Sequence, residues 1–301
     1  MTQLSIIIPC IGSQSSFDDT LLSVLENRPK RTEVIVPCRS DYVDPYDLDD
    51  EVVFLRCGEQ SDVVELLNSG INASQGDIVH WIQPGHQATP NWAEVALQRF
   101  SEQDSISAVS PIIVDGESQR IVSAGVSYLN SGDRKVVRHG KKRNTVFNVM
   151  GPTLSAGFCR AHILTSADGF SFWTGSELTD VDFAALLDSA NLACVVDSDC
   201  RLVGQKPVIR TGFHAARRLE RLYWKQSQRP NAKPNLVGHL IRIAWYSAIR
   251  FPRLSFVTSL FGRFVGMLDA RKNPDNTREI VKRLRSSNKN SPTEIEHRRA
   301  A

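Results

Sequence analysis

The sequence lacks the features that mark several common classes of protein. Its six cysteines lie far apart and form no Cys-x-x-Cys pair, which argues against a zinc knuckle and against a small disulfide-bonded scaffold. No apolar stretch reaches the roughly 20 uncharged residues that a membrane-spanning helix needs. The net charge is only +3, and lysine and arginine are spread along the chain, so nucleic-acid binding is not expected.

The start of the chain also lacks the features of an export signal. Neither a basic segment nor a small-residue cleavage site precedes the first apolar run, so no signal peptide is predicted. Because the cysteines show no disulfide pattern, we expect a cytoplasmic protein in a reducing compartment. The hydrophobic share of 41% and the charged share of 23% are ordinary for globular proteins.

Short apolar runs alternate with helical patterns through the first part of the chain. The runs typical of buried strands lie at residues 4–9, 33–37, 52–55 and 77–82. Helical spacing is seen at residues 17–25, with Ser16 as the N-cap, and at residues 61–73. This alternation predicts a parallel sheet, in which ligands bind beyond the carboxyl ends of the strands.

The pattern changes after a predicted helix at 91–102 and a strand at 106–114. Residues 116–149 are polar and basic, which predicts a hairpin and surface loop, and regularity returns at 153–159. A short helix from Ala161, an aromatic-rich loop around Gly169 and a helix from about Asp180 follow. Arginines interrupt two later apolar stretches, 236–251 and 254–268. These are expected to form amphipathic helices that lie on a membrane or pack on the sheet or on a second copy.

Several segments together resemble the family-2 glycosyltransferases of GT-A fold. They are Leu-Ser-Ile-Ile-Ile-Pro at 4–9, Asn-Ser-Gly-Ile-Asn-Ala-Ser-Gln-Gly-Asp-Ile-Val at 68–79, Pro-Asn-Trp at 90–92, and the segments 151–160, 169–170 and 179–183. The similarity covers about the first two-thirds of the chain. It implies an α/β fold with a Rossmann-like, mixed but mainly parallel sheet flanked by helices in residues 1–215. An amphipathic helical segment at 216–270 and a disordered tail at 271–301 would follow.

The resemblance also implies a function, which is transfer of a sugar from a nucleotide-sugar donor to a hydroxyl of a glycan or of a lipid-linked acceptor. The family normally holds Mn²⁺ or Mg²⁺ with an Asp-x-Asp motif after the fourth strand. This sequence has Gln83-Pro-Gly-His86 there. Pro37 and Cys38, followed by Arg39, stand where two aspartates usually end the second strand. We therefore expect no metal ligand, and we hypothesise that Arg39 and His86 neutralise the donor diphosphate. The alternative is that both are solvated loop residues.

The family's acidic motif maps onto residues 179–182. Its first acid is replaced by Thr179, while the second, usually the general base, is retained as Asp180. Asp180 and Asp182 are the catalytic candidates, although an acid in the first turn of a helix also stabilises the helix dipole. The donor-binding candidates are Pro9, Cys10, Arg39, Asn68, Gln83, Gly85, His86 and His214. The acceptor-binding candidates are Gly157 and Trp173.

Two main interpretations stay open at this point. The first is an active glycosyltransferase, peripheral at the inner face of a membrane, with Asp180 as its base. The second is a non-catalytic relative that binds a glycan or nucleotide or acts as a scaffold. The lost metal carboxylates favour the second, while Asp180 and the 151–160 segment favour the first. A nucleotidyltransferase would need a Gly-rich phosphate loop after the first strand, and residues 12–17 do not form one.

Overall fold

The first part of the computed structural model alternates strands and helices. The model describes residues 3–138, 147–205, 212–229, 234–250, 255–270 and 276–289. The elements up to the end of the predicted parallel region are β1 (Leu4–Ile7), α1 (Gln14–Asn27), β2 (Thr32–Arg39), β3 (Val53–Cys57), α2 (Val63–Ala73) and β4 (Ile78–Ile82). Asp62 caps α2 by accepting hydrogen bonds from the N–H groups of Val64 and Glu65.

The remaining elements complete the sheet and cover it. They are β5 (His86–Ala88), α3 (Trp92–Glu102), β6 (Ile106–Val114), β7 (Ile121–Ser123), β8 (Val126–Leu129), β9 (Asp133–Val136), β10 (Ala156–Arg160), α4 (Ala161–Ser166), α5 (Thr179–Ala190), β11 (Ala193–Gly204), α6 (Phe213–Ser227), α7 (Leu236–Arg250), α8 (Ser255–Ala270) and α9 (Thr277–Lys289). No helix among the described residues is long and apolar enough to cross a membrane.

The main sheet has the strand order β3-β2-β1-β4-β10-β6-β11-β5, with β7 paired to β6. Strands β3, β2, β1 and β4 are mutually parallel, β10 is antiparallel to both β4 and β6, and β11 is parallel to β6. This confirms the predicted mixed, mainly parallel sheet. Because β1, β2 and β4 are parallel neighbours, their carboxyl ends open on the same edge.

Apolar side chains from both faces of the sheet form the core. One cluster packs α1 and α3 against the sheet around Phe17 and Trp92, and the other packs α2, α4 and α5 on the opposite face around Phe170 and Phe183. His80 lies fully buried on β4, where Trp92 Nε1 donates to its Nε2 and its Nδ1 donates to the Gly157 carbonyl. Burial lowers the pKa of His80 to about 3, so it is a neutral core residue.

The structure corrects three details of the sequence interpretation. Helix α1 begins earlier than predicted, and its N-cap is Ser13 rather than Ser16. The hairpin predicted in the 116–149 segment is confirmed as β8–β9, but the segment also contributes β7 to the main sheet; residues 139–146 lie outside the described part. The prediction of a disordered tail from residue 271 is wrong for α9, because Val281 and Leu284 are buried in the core.

Candidate active site

The parallel strands bring part of the predicted donor site to one edge of the sheet. Pro9 is buried and Cys10 half-buried at the end of β1, where the Cys10 N–H donates to the Pro37 carbonyl at 2.9 Å. Burial raises the pKa of the Cys10 thiol to about 11, so it stays protonated near neutral pH. Arg39 is exposed at the end of β2.

Gln83 stands at the position of the missing metal-binding motif. Its side-chain amide donates to the Leu154 carbonyl at 2.9 Å, and its backbone N–H donates to the Ser155 carbonyl at 2.8 Å. The Gly85 N–H donates to the Thr20 hydroxyl at 3.1 Å, which fixes the turn after β4 to α1. Gln83 thus ties the end of β4 to the segment that precedes β10.

His86 does not have the role that the sequence suggested. It is 8% exposed, its Nδ1 donates to the Gln83 carbonyl at 3.0 Å, and its ring lies against Gly204 on β11. Burial lowers the pKa of His86, so the imidazole is neutral near pH 7. This contradicts the expectation that His86 contributes positive charge to a diphosphate site.

The residues at this edge do not fit the metal ion that the family resemblance implies. Mg²⁺ and Mn²⁺ prefer carboxylate and other oxygen ligands, but the position offers the Gln83 amide and the neutral His86 ring, whose Nδ1 is already bonded. In the described part of the chain, no group of three or more His, Cys, Asp or Glu side chains could hold a metal.

Asp180 lies in the first turn of α5 and is only 1% exposed. Arg134 of β9 binds it through two parallel hydrogen bonds, from Nε to Oδ1 at 2.9 Å and from a terminal nitrogen to Oδ2 at 2.5 Å. The Leu154 N–H donates to Oδ2 at 3.2 Å and the Val181 N–H donates to Oδ1 at 2.7 Å. Each of the two carboxylate oxygens therefore accepts two hydrogen bonds. Asp180 can take a proton from a substrate only if Arg134 moves away from it.

Leu154 joins Asp180 to the position of the lost metal site. Its carbonyl accepts from Gln83 and its N–H donates to Asp180, so the retained acid and the end of β4 are bonded to the same residue.

Arg134 keeps its charge beside Asp180. Burial alone would lower the pKa of Arg134, but the effect of the Asp180 carboxylate is larger, so the pKa is raised. A permanently charged guanidinium thus lies beside the retained acid.

Asp182 belongs to a different cluster. It is fully buried and accepts from Lys225 at 2.7 Å, from Gln226 at 2.9 Å and from Arg229 at 3.0 Å, all on or just after α6. Its carboxylate holds α5 against α6. The geometry therefore makes it a structural residue, contrary to its place among the catalytic candidates.

Two further candidates have structural roles. Asn68 on α2 donates to the Phe170 carbonyl at 2.9 Å and accepts from the Phe170 N–H at 2.8 Å, so its amide holds the aromatic-rich loop. Gly157 lies inside β10, where a Cβ atom would collide with Pro152 and the Trp81 ring. Asn68 thus holds the loop and Gly157 is required for close packing, while their roles in donor and acceptor binding stay predictions.

This geometry makes a prediction for Asn68. Asn68→Ala should lower the free energy of unfolding by about 1–3 kcal/mol, because the polar groups of Phe170 lose their partner. Urea denaturation would measure the loss. Ser69→Ala serves as the control, because Ser69 is adjacent on α2 and its hydroxyl bonds only within the helix, to the Glu65 carbonyl. An equal loss in both variants would contradict a loop-holding role.

The last two candidates lie on the aromatic loop and on α6. Trp173 is half-buried, and the Arg221 guanidinium carbon lies 4.4 Å from its ring centroid. One face of this ring is therefore covered by a cation, while Arg221 itself bonds Asp269. His214 is exposed in the first turn of α6 and contacts the Phe213 ring. Their roles in acceptor and donor binding stay predictions.

The strand order and the helices on both faces of the sheet are those of the GT-A fold. The sequence model of glycosyl transferase family 2 matches residues 5–155, about half of the chain. This protein therefore belongs to glycosyl transferase family 2. A comparison with curated protein sequences found no match.

Two solved structures share the fold at low sequence identity. The mannosyltransferase PcManGT from Pyrobaculum calidifontis, in complex with GDP-Man and Mn²⁺, is 14% identical with a TM-score of 0.52, over 98% of this chain and 82% of that chain. TarS 1–349 of S. aureus is 13% identical with a TM-score of 0.60, over 99% of this chain and 92% of that chain. These similarities show the fold alone.

Proposed function

We propose that this protein transfers a sugar from a nucleotide-sugar donor to a hydroxyl of a glycan or lipid-linked acceptor, with Asp180 as the general base. The observation that carries the proposal is the hydrogen-bonded path from Gln83 through Leu154 to Asp180. It links the retained acid to the strand end where a parallel sheet binds its ligand. The fold neighbour bound to GDP-Man supports a nucleotide-sugar donor.

The same geometry suggests how the reaction proceeds without the metal carboxylates. We propose that the donor diphosphate draws the Arg134 guanidinium away from Asp180. This movement brings a positive charge to the phosphates and frees a carboxylate oxygen in a single step. Asp180 then takes the proton of the acceptor hydroxyl, the acceptor oxygen bonds to the sugar carbon, and the bond to the diphosphate breaks.

A non-catalytic binding protein is the second candidate, and one observation favours it. Both oxygens of Asp180 are fully hydrogen-bonded, and the Arg134 pair has the bidentate geometry of a stable buried bridge. In that case the pair would be permanent and would only fix β9 to α5. Sugar transfer, together with the effect of Arg134→Gln on donor binding, then separates the two candidates.

The test is calorimetry with UDP- and GDP-sugars in the presence of EDTA. We expect binding that EDTA does not change and that Arg134→Gln weakens by at least about tenfold, because a charge-assisted contact with phosphate is lost. Lys135→Gln is the matched control, because Lys135 is the exposed neighbour on the same strand. Asp180→Asn should bind donor at least as tightly as the wild type, because the competing carboxylate is gone.

Three outcomes would count against the proposal. Loss of binding in EDTA with recovery in Mn²⁺ would show that a metal site exists. Equal weakening by Arg134→Gln and Lys135→Gln would remove the specific role of Arg134. If no donor in the panel binds or reacts, the non-catalytic candidate is favoured.

We further propose that the protein works at the cytoplasmic face of a membrane, with its C-terminal helices in contact with it. Such a location would bring a lipid-linked acceptor within reach of the site. Arg39 and His214, both exposed, stay candidates for donor contacts in this proposal.

A further inference from the structure

Helix α7 and the residue before it are bonded to the turn of the β8–β9 hairpin. We call this turn, residues 130–133, the hairpin tip. The Asn235 N–H, just before α7, donates to the Asn130 carbonyl at 3.1 Å. His239 Nδ1 on α7 donates to the Ser131 carbonyl at 2.8 Å. Two successive carbonyls of the tip are therefore held from outside the hairpin.

The next two residues of the tip are held by the same region. Gly132 has a φ of +89°, and a Cβ atom there would lie 2.7 Å from His239 Nδ1 and 2.8 Å from the Tyr223 ring. The His239 and Tyr223 rings stack with centroids 3.7 Å apart, and glycine lets the tip approach them closely. Arg242, further along α7, pairs with Asp133. All four residues of the tip thus contact α6, α7 or the residue before α7.

His239 holds the tip as a cation. Its Nε2 lies 3.2 and 3.1 Å from the two carboxylate oxygens of Glu220, and its Nδ1 faces the Ser131 carbonyl. Because both partners accept hydrogen bonds, both ring nitrogens carry hydrogen. Burial alone would raise the pKa of Glu220, but hydrogen bonds from His239 and Arg263 lower it, so the carboxylate stays charged. The ring therefore makes a charge-assisted link between α6 and the tip.

The tip is followed directly by Arg134, which binds Asp180. Strands β8 and β9 form a two-stranded sheet of their own, so the ladder of the main sheet does not include the tip. Neighbouring side chains on a strand point to opposite faces. Asp133 is accordingly tied to Arg242 of α7, and Arg134 to Asp180 of α5. The backbone that carries Arg134 is thus held by α7.

We infer that His239 and Arg242 are positioning residues that fix the hairpin tip and thereby set the place of the Arg134 guanidinium at Asp180. The inference rests on the proposed function, in which Arg134 leaves Asp180 for the donor diphosphate. With the backbone held, only the side chain has to move. A tip that has lost His239 or Arg242 would present the guanidinium less accurately, so donor affinity would fall.

Hydrogen exchange of the full chain without donor tests the first part of the inference. We expect His239→Gln and Arg242→Met to raise the exchange rate of amides in residues 126–137 by at least about tenfold, because the tip loses bonds to α7. Arg242→Lys keeps the charge and should restore most of the protection. His162→Gln is the control, because it makes the same chemical change on α4, which packs against α2 and α9. Unchanged exchange in His239→Gln and Arg242→Met would overturn the inference.

Donor calorimetry tests the second part. We expect His239→Gln to weaken donor binding by about three- to tenfold, and to have no further effect when Arg134→Gln is already present, because it acts through Arg134. A merely structural role would instead lower the fraction of chains that bind donor without changing their affinity. Equal weakening by His239→Gln with and without Arg134→Gln would overturn the inference.

The same measurements separate failure of the inference from failure of the proposed function. If the wild type binds no donor, the proposed function fails and the inference fails with it. If Arg134→Gln weakens donor binding but His239→Gln does not, the inference alone is overturned.

Discussion

Asp180→Asn is expected to lower the rate of sugar transfer by about 10²–10⁴-fold while donor binding is kept. The size follows from the usual contribution of a positioned general base. The amide keeps the shape of the carboxylate but takes no proton at neutral pH. Because the substitution also frees Arg134, the proposed mechanism requires a loss in kcat without a weaker affinity for the donor. A transfer assay beside donor calorimetry measures both quantities.

Asp188→Asn is the matched control for this experiment. Asp188 lies on the same helix, α5, but is exposed, so the same chemical change there should leave transfer unchanged. Circular dichroism would confirm that Asp180→Asn is folded. Full transfer activity in Asp180→Asn would exclude it as the base, and with it the role proposed for Arg134.

The parallel half of the sheet could be predicted from the sequence because its strands are buried on both faces. Segments such as 4–9 and 77–82 therefore appear as continuous apolar runs separated by helices. Strand β10 inserts between β4 and β6 in the antiparallel sense, a pairing over a long sequence distance that no local pattern reports. Helix α9 was not predicted because only a few apolar residues on one side of it contact the core, and these give no clear apolar periodicity in the sequence.

The sequence predicts at which edge of the sheet the candidate site lies, but it does not show the contacts that its side chains make. Cys10, Arg39 and Gln83 lie at strand ends on one edge of the sheet because that edge follows from topology, and their part in donor binding stays a prediction. Arg134 was missed because it lies in a polar, basic segment that had the composition of a surface loop. Only the hairpin β8–β9 brings it to Asp180.

Burial accounts for the other differences. A sequence pattern shows that His86 follows a strand, but it does not show that its ring lies against Gly204 and becomes neutral. The two acids at 180 and 182 look equivalent in sequence. In the helix they are two residues apart and so point in different directions, one to Leu154 and the other to α6.

This difference between the two acids leads to the second large prediction. Asp182→Ala should lower the free energy of unfolding by about 3–5 kcal/mol, because Lys225 and Arg229 lose a shared carboxylate in a buried cluster. Urea denaturation measures the loss, and Asp188→Ala, exposed on the same helix, should change stability by no more than about 0.5 kcal/mol. Asp182→Asn should lie between the two, since it keeps an oxygen acceptor but not the charge. A stable Asp182→Ala variant that has lost transfer would instead return Asp182 to the catalytic candidates.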